Sequence, residues 1–338
     1  MRVLLAGCGS ISLTWLKAVQ KMPDVEMVGF VDLDTTRARS HAEEFGAPDA
    51  VVGADLDAVL TQTKPDIVFD CTIPAAHYDV VLTALKHGCH VLGEKPLAEN
   101  LAQAREMIAA AQRAGKLYAV MQNRRYEPNI VTLKKFLQSE QIGKVTTVHS
   151  DFFIGVHIDN FRTHMPHVLL LDMAIHTFDA ARYISGADPV SVYCKEWNPS
   201  GSWFDYDASA VAIFEMTNGV VYTYRGSWCS EGLITTWESD WRIIGEKGTV
   251  KWDGAQNMPA QVVDEIGWIS KFADVPLNSQ PPAEWGYGHE SLIRDFIDCV
   301  NDGGIPQTTA SDNVKSLAMV MAAIESAQTG MPVKVVWE

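Results

Sequence analysis

The sequence predicts an α/β protein in two parts. Residues 1–122 read as a doubly wound parallel sheet, and residues 123–338 as an α+β domain with a large, mainly antiparallel sheet. Three observations carry this. The first part alternates continuous apolar runs with helical patterns, as strands covered on both faces do. After Arg125 the apolar runs lengthen and alternate with period two, as strands with one face in a core do. Finally, Thr217-Asn218-Gly219 joins two such runs, and Asn-Gly there is a strong hairpin signal.

Taken in order, "RVLLA" opens the parallel sheet and a helical run from Ile11 to Gln20 follows it. "VEMVGFVD" and a helix from Arg37 to Phe45 come next, then "DIVFDC" with a helix from His77 to His87. "HVLGE", a helix from Leu101 to Ala114 and "LYAVMQ" complete the first domain. A helix from Pro128 to Leu137 starts the second, whose strands include "KVTTVHSDFF", "SAVAIFEM", "VVYTYRGSW" and "DWRIIGEKGTVKW". The tail returns to helix in "ESLIRDFIDCVN" and in "SDNVKSLAMVMAAIESAQTG", the latter bracketed by Ser311 and Gly330.

A length of 338 residues suits about two domains, and 47% hydrophobic with 20% charged residues places the chain among globular proteins. The net charge of −15 argues against nucleic acid and anionic membranes, both of which need a basic surface. No apolar run approaches the roughly 18 residues of a membrane span, and "MRVLLAGCGS" leads into a strand with no cleavage site, so a cytoplasmic location is expected. Six scattered cysteines without a C-x-x-C suggest neither a disulfide framework nor a structural metal. Eight of the ten tryptophans fall between Trp197 and Trp285; they suit the apolar faces of sugar rings, and they also simply pack sheets.

"LLAGCGSIS" sets Gly7, Gly9 and Ser12 at the positions of G-x-G-x-x-G, between the first strand and the first helix. The first glycine permits a tight turn, the second lets backbone approach a pyrophosphate, and the helix N-terminus supplies amides. Ser12 replaces the third glycine and adds a side chain where helix and strand come closest. Asp32 ends the second strand, where a carboxylate accepts from ribose hydroxyls and repels a 2′-phosphate. NAD is therefore the expected cofactor of this Rossmann-type domain and NADP the less favoured one, with Arg37 nearby as a complication.

"GEKPLAEN", residues 93–100, follows the fifth strand at the carboxyl edge where open α/β sheets bind ligands. Pro96 restricts Lys95, which beside Glu94 can polarise or protonate a reacting oxygen, or can be a solvated lysine in a plain turn. "LLLDMAIHTFDAARYI" reads as a buried helix from Leu169 to Ile184 with one polar stripe: Asp172, His176, Asp179 and Tyr183, within about 60° at 100° per residue. Three readings stand for Asp172 with His176. They are two ligands of a metal site that lacks further ligands, a hydrogen-bonded core pair, or a catalytic pair in which Asp172 orients the imidazole.

The order of these motifs resembles the Gfo/Idh/MocA family of NAD(P)-dependent oxidoreductases, which includes glucose-fructose oxidoreductase and inositol dehydrogenases. The motifs are the fingerprint, "CTIPAAHYDVVLTALKHGCHVLGEKPLAENLAQA", "QNRRYEP" and "LLLDMAIHTFDAARY", and the resemblance runs along essentially the whole chain. It implies that Lys95, Asp172 and His176 surround the nicotinamide and the reacting carbinol. It implies cofactor contacts at Gly7, Gly9, Ser10, Ile11, Asp32, Thr72, Pro74, His77, Glu94, Lys95 and Gln122. Two departures stand out: "MPHVLLLD" replaces a glycine-rich G-G-G segment, and "TIPAAH" replaces a proline-asparagine pair.

Arg124 and Tyr126 at the domain junction, with His157 and Arg162 from the histidine-rich stretch before the helix, are the expected substrate contacts, and no metal site is expected. The resulting expectation is an NAD-dependent dehydrogenase of a sugar, sugar acid or cyclitol hydroxyl. One alternative is a glycosidase that oxidises, eliminates, hydrates and re-reduces; another is a dinucleotide-binding sensor without catalysis. The exposed face of the second sheet suggests a homodimer or homotetramer.

Overall fold

The computed structural model describes residues 1–280 and 286–338; Trp285 lies outside the described residues. Two compact units emerge, one formed by residues 1–126, 283–317 and 338, the other by residues 127–282 and 318–337.

The first unit runs β1 (Arg2–Ala6), α1 (Ser10–Val19), β2 (Glu26–Val31), α2 (Thr35–Glu44), β3 (Val51–Gly53), α3 (Leu56–Thr63) and β4 (Ile67–Asp70). It continues through α4 (Pro74–Lys86), β5 (His90–Gly93), α5 (Leu101–Ala114) and β6 (Tyr118–Val120). The strands form one parallel sheet in the order β3-β2-β1-β4-β5-β6, the order of a Rossmann fold. Their apolar runs follow from this: β1 and β4 are buried almost throughout. Helix starts are set locally, by Asp34 accepting from Thr36 and Arg37, Asp55 from Ala58 and Asn100 from Gln103. The β3–α3 crossover escapes the sequence pattern because β3 has only three residues.

The second unit holds α6 (Pro128–Gln138), β7 (Val145–Phe153), a π-helical turn (Leu169–Ala174), α7 (Ile175–Ser185), β8 (Pro189–Trp197), β9 (Ser209–Met216), β10 (Val221–Ser227), β11 (Asp240–Gly245) and β12 (Gly248–Trp252). Strands β13 (Ala260–Glu265) and β14 (Lys271–Val275) follow. After α8 (His289–Asp302) and α9 (Ala310–Thr329), β15 (Val333–Lys334) joins the same sheet. Among the described residues this sheet has nine strands in the order β14-β13-β12-β11-β7-β10-β9-β8-β15. It is antiparallel except for β7 beside β10, which are parallel. The hairpin at 217–219 places both Asn218 and Gly219 at positive φ, as its composition requires.

Two expectations change. The boundary at 122/123 assigned the whole tail to the second domain, yet α8 belongs to the first unit. Leu292, Ile293, Phe296 and Ile297 are buried in the Rossmann core with Trp15, Leu16 and Phe30. Burying four such side chains is worth roughly 6–12 kcal/mol. Arg125 anchors the same segment by donating to Asp312 Oδ2 at 2.7 Å and to the Gln307 carbonyl at 3.0 Å. The second change is the helix expected from Leu169 to Ile184. Its first six residues form a π-helical turn, and α-helical geometry starts only at Ile175. The wider i→i+5 turn breaks the uniform 100° spacing assumed between Asp172 and His176.

Candidate active site

In the first unit the candidate cofactor residues lie in the turns that follow the strands of the parallel sheet. Gly7 has φ +86, and a Cβ there would sit 2.6 Å from the Cys71 carbonyl carbon and oxygen. Gly9 is different: a Cβ would meet nothing within 4 Å, so backbone faces open space at the N-cap of α1. Ser10 and Ile11 lie exposed on the first turn of α1, where the Ser12 N–H donates to the Gly9 carbonyl at 3.2 Å. Ser12, in place of the third glycine, is fully buried and donates its hydroxyl to the Gly9 carbonyl at 2.6 Å. Its extra atoms thus stiffen the fingerprint turn instead of wedging it open.

Asp32 directly follows β2, its carboxylate fixed by two backbone donors, Cys8 N–H at 2.7 Å and Asp34 N–H at 2.8 Å. Arg37 stands 3.9 Å from Asp32 and 3.5 Å from Asp34, so both acids hold its guanidinium. The two backbone donors therefore hold the carboxylate in one orientation beside the fingerprint turn. Together the open Gly9 backbone, the exposed N-terminus of α1 and this acid fit a dinucleotide with an unphosphorylated ribose.

A buried polar group follows β4. Asp70 accepts from Thr72 N–H at 3.1 Å, from the Thr72 hydroxyl at 2.5 Å and from His77 Nδ1 at 2.8 Å. His77 is 1% exposed, and its Nε2 has no hydrogen-bond partner among the described residues. Burial opposes its charged form, but the Asp70 carboxylate, with Glu94 and Glu99 beyond, outweighs burial and raises its pKa. Pro74 opens α4 at its first position.

Glu94 follows β5, buried, and accepts from the Trp15 indole at 2.8 Å and from the Lys95 backbone N–H at 3.2 Å. Lys95 is half-buried and joined to Pro96 by a cis peptide. Gln122, beyond β6, is buried. Sequence reasoning missed His289, the first residue of α8. Burial lowers its pKa, Glu94 raises it and Lys95 lowers it again, so the imidazole lies within electrostatic reach of the Glu94–Lys95 turn. Only the "GYGHES" helix start could have signalled it.

Arg124 and Tyr126 also lie in the first unit, on a 3-10 turn from Asn123 to Tyr126. Arg124 is buried. Tyr126 donates to Asp295 Oδ2 at 2.6 Å and packs against the Rossmann core, and burial followed by Asp295 pushes its pKa well up. Its hydroxyl is committed to α8, which differs from the substrate contact expected.

In the second unit, Asp172 sits on the π-helical turn and His176 on the first turn of α7, half-buried. Arg162 grips Asp172 through Nε at 2.8 Å and Nη2 at 3.3 Å, and its guanidinium lies 4.6 Å from the Phe161 ring centroid. Asp172 is thus paired with an arginine from the preceding 3-10 turn (Phe161–His164), a contact the sequence reading did not foresee. His157 instead binds Glu231 at 2.7 Å and stacks on Trp203 with centroids 3.8 Å apart. Asp179, the next acid on the expected stripe, is 1% exposed and lies 3.7 Å from Arg182, a structural ion pair. Among the described residues no group of three or more His, Cys, Asp or Glu is arranged to hold a metal ion.

Residues 1–122 match the model of an oxidoreductase family with an NAD-binding Rossmann fold, and residues 130–251 match the GFO/IDH/MocA C-terminal domain. D-apiose dehydrogenase of Paraburkholderia graminis is 26% identical over 98% of this chain and 88% of its own length. Myo-inositol 2-dehydrogenase of Thermotoga maritima is 24% identical, covering 99% and 98%. In fold, an Agrobacterium radiobacter oxidoreductase solved with NAD+, L-tartaric acid and magnesium superposes with a TM-score of 0.86 at 23% identity, covering 99% of this chain and 98% of that one. The chain belongs to the GFO/IDH/MocA family of oxidoreductases, and its first domain is the family's NAD-binding Rossmann fold.

Proposed function

We propose that the protein is an NAD-dependent dehydrogenase of a secondary hydroxyl on a sugar, sugar acid or cyclitol. The observation that carries the reading is the Glu94–Lys95 turn at the carboxyl edge of a sheet shaped for a dinucleotide, in a chain that also keeps Asp172 and His176. Relatives named for D-apiose and myo-inositol, both polyhydroxylated, support the substrate class.

When bound, NAD supplies the hydride acceptor. Gly9, the first turn of α1 and Asp32 hold the dinucleotide, and the Asp70–Thr72–His77 group shapes the turn after β4. His176 takes the hydroxyl proton as the carbinol carbon loses its hydride, and Lys95 stabilises the oxygen as it becomes a carbonyl. Asp172, paired with Arg162, orients His176 on the same helical segment, and Arg162 is the cation offered to the substrate's hydroxyls or carboxylate. For each alcohol oxidised, one ketone, one NADH and one proton form.

The test is a panel of polyols, aldoses and glycosides, headed by D-apiose and myo-inositol, at fixed NAD with NADH absorbance as readout. NADH formed in step with ketone supports the reading. Aglycone released from a glycoside without NADH would replace it with the oxidation–elimination–hydration–reduction route. No product of either kind, with NAD still bound, would leave a sensor.

We further propose that the chain works as a homodimer or homotetramer through the open sheet face. Tyr193, Trp197, Ile213 and Val221 are exposed there. Arg242 faces Lys251 and Asp151 faces Asp240 directly across strands. Arg225 compensates Asp151 within the chain, whereas Arg242 and Lys251 lie directly opposite each other, so a partner that brings acidic groups onto them would be favoured. A sedimentation mass equal to one chain would refute this.

A further inference from the structure

His167 lies two residues before the π-helical turn, with φ +54, a left-handed backbone that side chains other than glycine rarely adopt. Its carbonyl accepts from Leu171 N–H at 3.0 Å, so this residue launches the helical segment that carries Asp172 and His176. The side chain is clamped as well. Nδ1 lies 2.7 Å from Glu196 Oε2 on β8, and Nε2 lies 3.2 Å from the Gln328 amide nitrogen on α9. The Glu196 side chain is 2% exposed, and its other oxygen, Oε1, has no partner among the described residues. A buried carboxylate with one oxygen unpaired is tolerated only where its remaining contact is strong.

We propose that His167 is a positioning residue: its clamp between Glu196 and Gln328 holds the left-handed turn that sets the helical segment bearing Asp172 and His176. A residue of disfavoured backbone conformation persists where its surroundings over-determine it, and here a buried acid and a second helix do so. The consequence for catalysis rests on the reading of Asp172 and His176 given above; the clamp itself does not.

The clamp is also tied to pH. The Glu196 bond raises the His167 pKa, burial lowers it, and Glu196 and Asp207 charges raise it again, for a net rise. Burial raises the Glu196 pKa, His167 lowers it and Asp207 raises it, again for a net rise; Cys194 is the remaining titratable neighbour. Both folded values exceed the unfolded ones. The contribution that His167 makes through Glu196 is therefore fully present below the unfolded value of His167 and is lost as pH climbs through its folded value.

The experiment is hydrogen exchange of the full chain between pH 6 and 9, read as protection factors for the amides of residues 168–174. Wild-type protection should fall as pH rises. His167→Gly allows the left-handed turn but removes the clamp, and should lose about tenfold or more protection at the low-pH end. His167→Asn tolerates that backbone and can still donate to Glu196, so it should stay near wild type. Glu196→Gln should flatten the pH dependence. Protection in His167→Gly equal to wild type throughout would overturn the proposal, as would an unchanged pH dependence in Glu196→Gln. In His167→Gly NAD affinity should be unchanged while kcat falls about tenfold to a hundredfold, and His167→Asn should keep both near wild type. Lost protection with unchanged kcat would keep the clamp and sink the catalytic reading of the helix.

Discussion

The two glycines of the fingerprint separate folding from cofactor binding, and alanine at each should fail differently. At Gly7 an added Cβ would lie 2.6 Å from the Cys71 carbonyl and 2.7 Å from Thr72 N, both backbone, at φ +86. A left-handed alanine costs about 1–2 kcal/mol, and forcing backbone apart adds about 1–3 kcal/mol. The total of about 2–5 kcal/mol should lower the melting temperature of a unit this size by roughly 4–20 °C. At Gly9 the same methyl has φ −76 and nothing within 4 Å, so Gly9→Ala should melt within about 0.5 kcal/mol of wild type. Yet it fills the approach of a pyrophosphate to the α1 amides. Losing one or two charge-assisted bonds, each about 1.5–3 kcal/mol, should weaken NAD by at least about tenfold. Scanning calorimetry of the apoprotein and isothermal titration with NAD read the two effects apart. Wild-type NAD affinity in Gly9→Ala, or a wild-type melting temperature in Gly7→Ala, would refute the reasoning.

Other sites give independent outcomes. Asp32→Ser removes the carboxylate that Cys8 and Asp34 N–H groups hold in place, so NAD affinity should fall about tenfold or more while NADP gains relative to NAD; an unchanged NAD-to-NADP ratio in kcat/KM would contradict the assigned contact. His77, raised by Asp70, should contribute stability below pH about 6.5 that is lost as pH rises through its folded value. Denaturant midpoints between pH 6 and 9 should show that slope in wild type and lose it in His77→Gln; the same slope in both proteins would remove His77 as its source.

Legibility in the sequence followed the range of the interactions involved. Periodicity is local, so the long strands β7, β9 and β10 and the hairpin at Asn218 were visible, as was the fingerprint, whose chemistry depends on consecutive backbone. Strand β3, three residues long, has too little pattern to register, and β8, β13 and β14 were not recognised as strands. Long-range packing was hidden. Nothing in "ESLIRDFIDCVN" says that its apolar face completes the Rossmann core and not the second sheet. The π-helical turn was hidden for the same reason, since a left-handed His167 clamped by Glu196 lies at its entry. The acid and imidazole of the helix were readable as a candidate pair. The arginine that grips the acid was named for a different task, because a loop ten residues upstream carries no periodic signal.

The central claim is that His176 takes the hydroxyl proton and Lys95 stabilises the oxygen while the fingerprint holds the cofactor. Its most direct test compares Lys95→Ala and His176→Ala with wild type, measuring kcat on whichever polyol the panel selects and NAD affinity by titration. The account predicts a kcat lower by about 10²–10⁴ in each variant with NAD affinity within a few-fold of wild type. Equal losses in kcat and NAD affinity for both variants would contradict it.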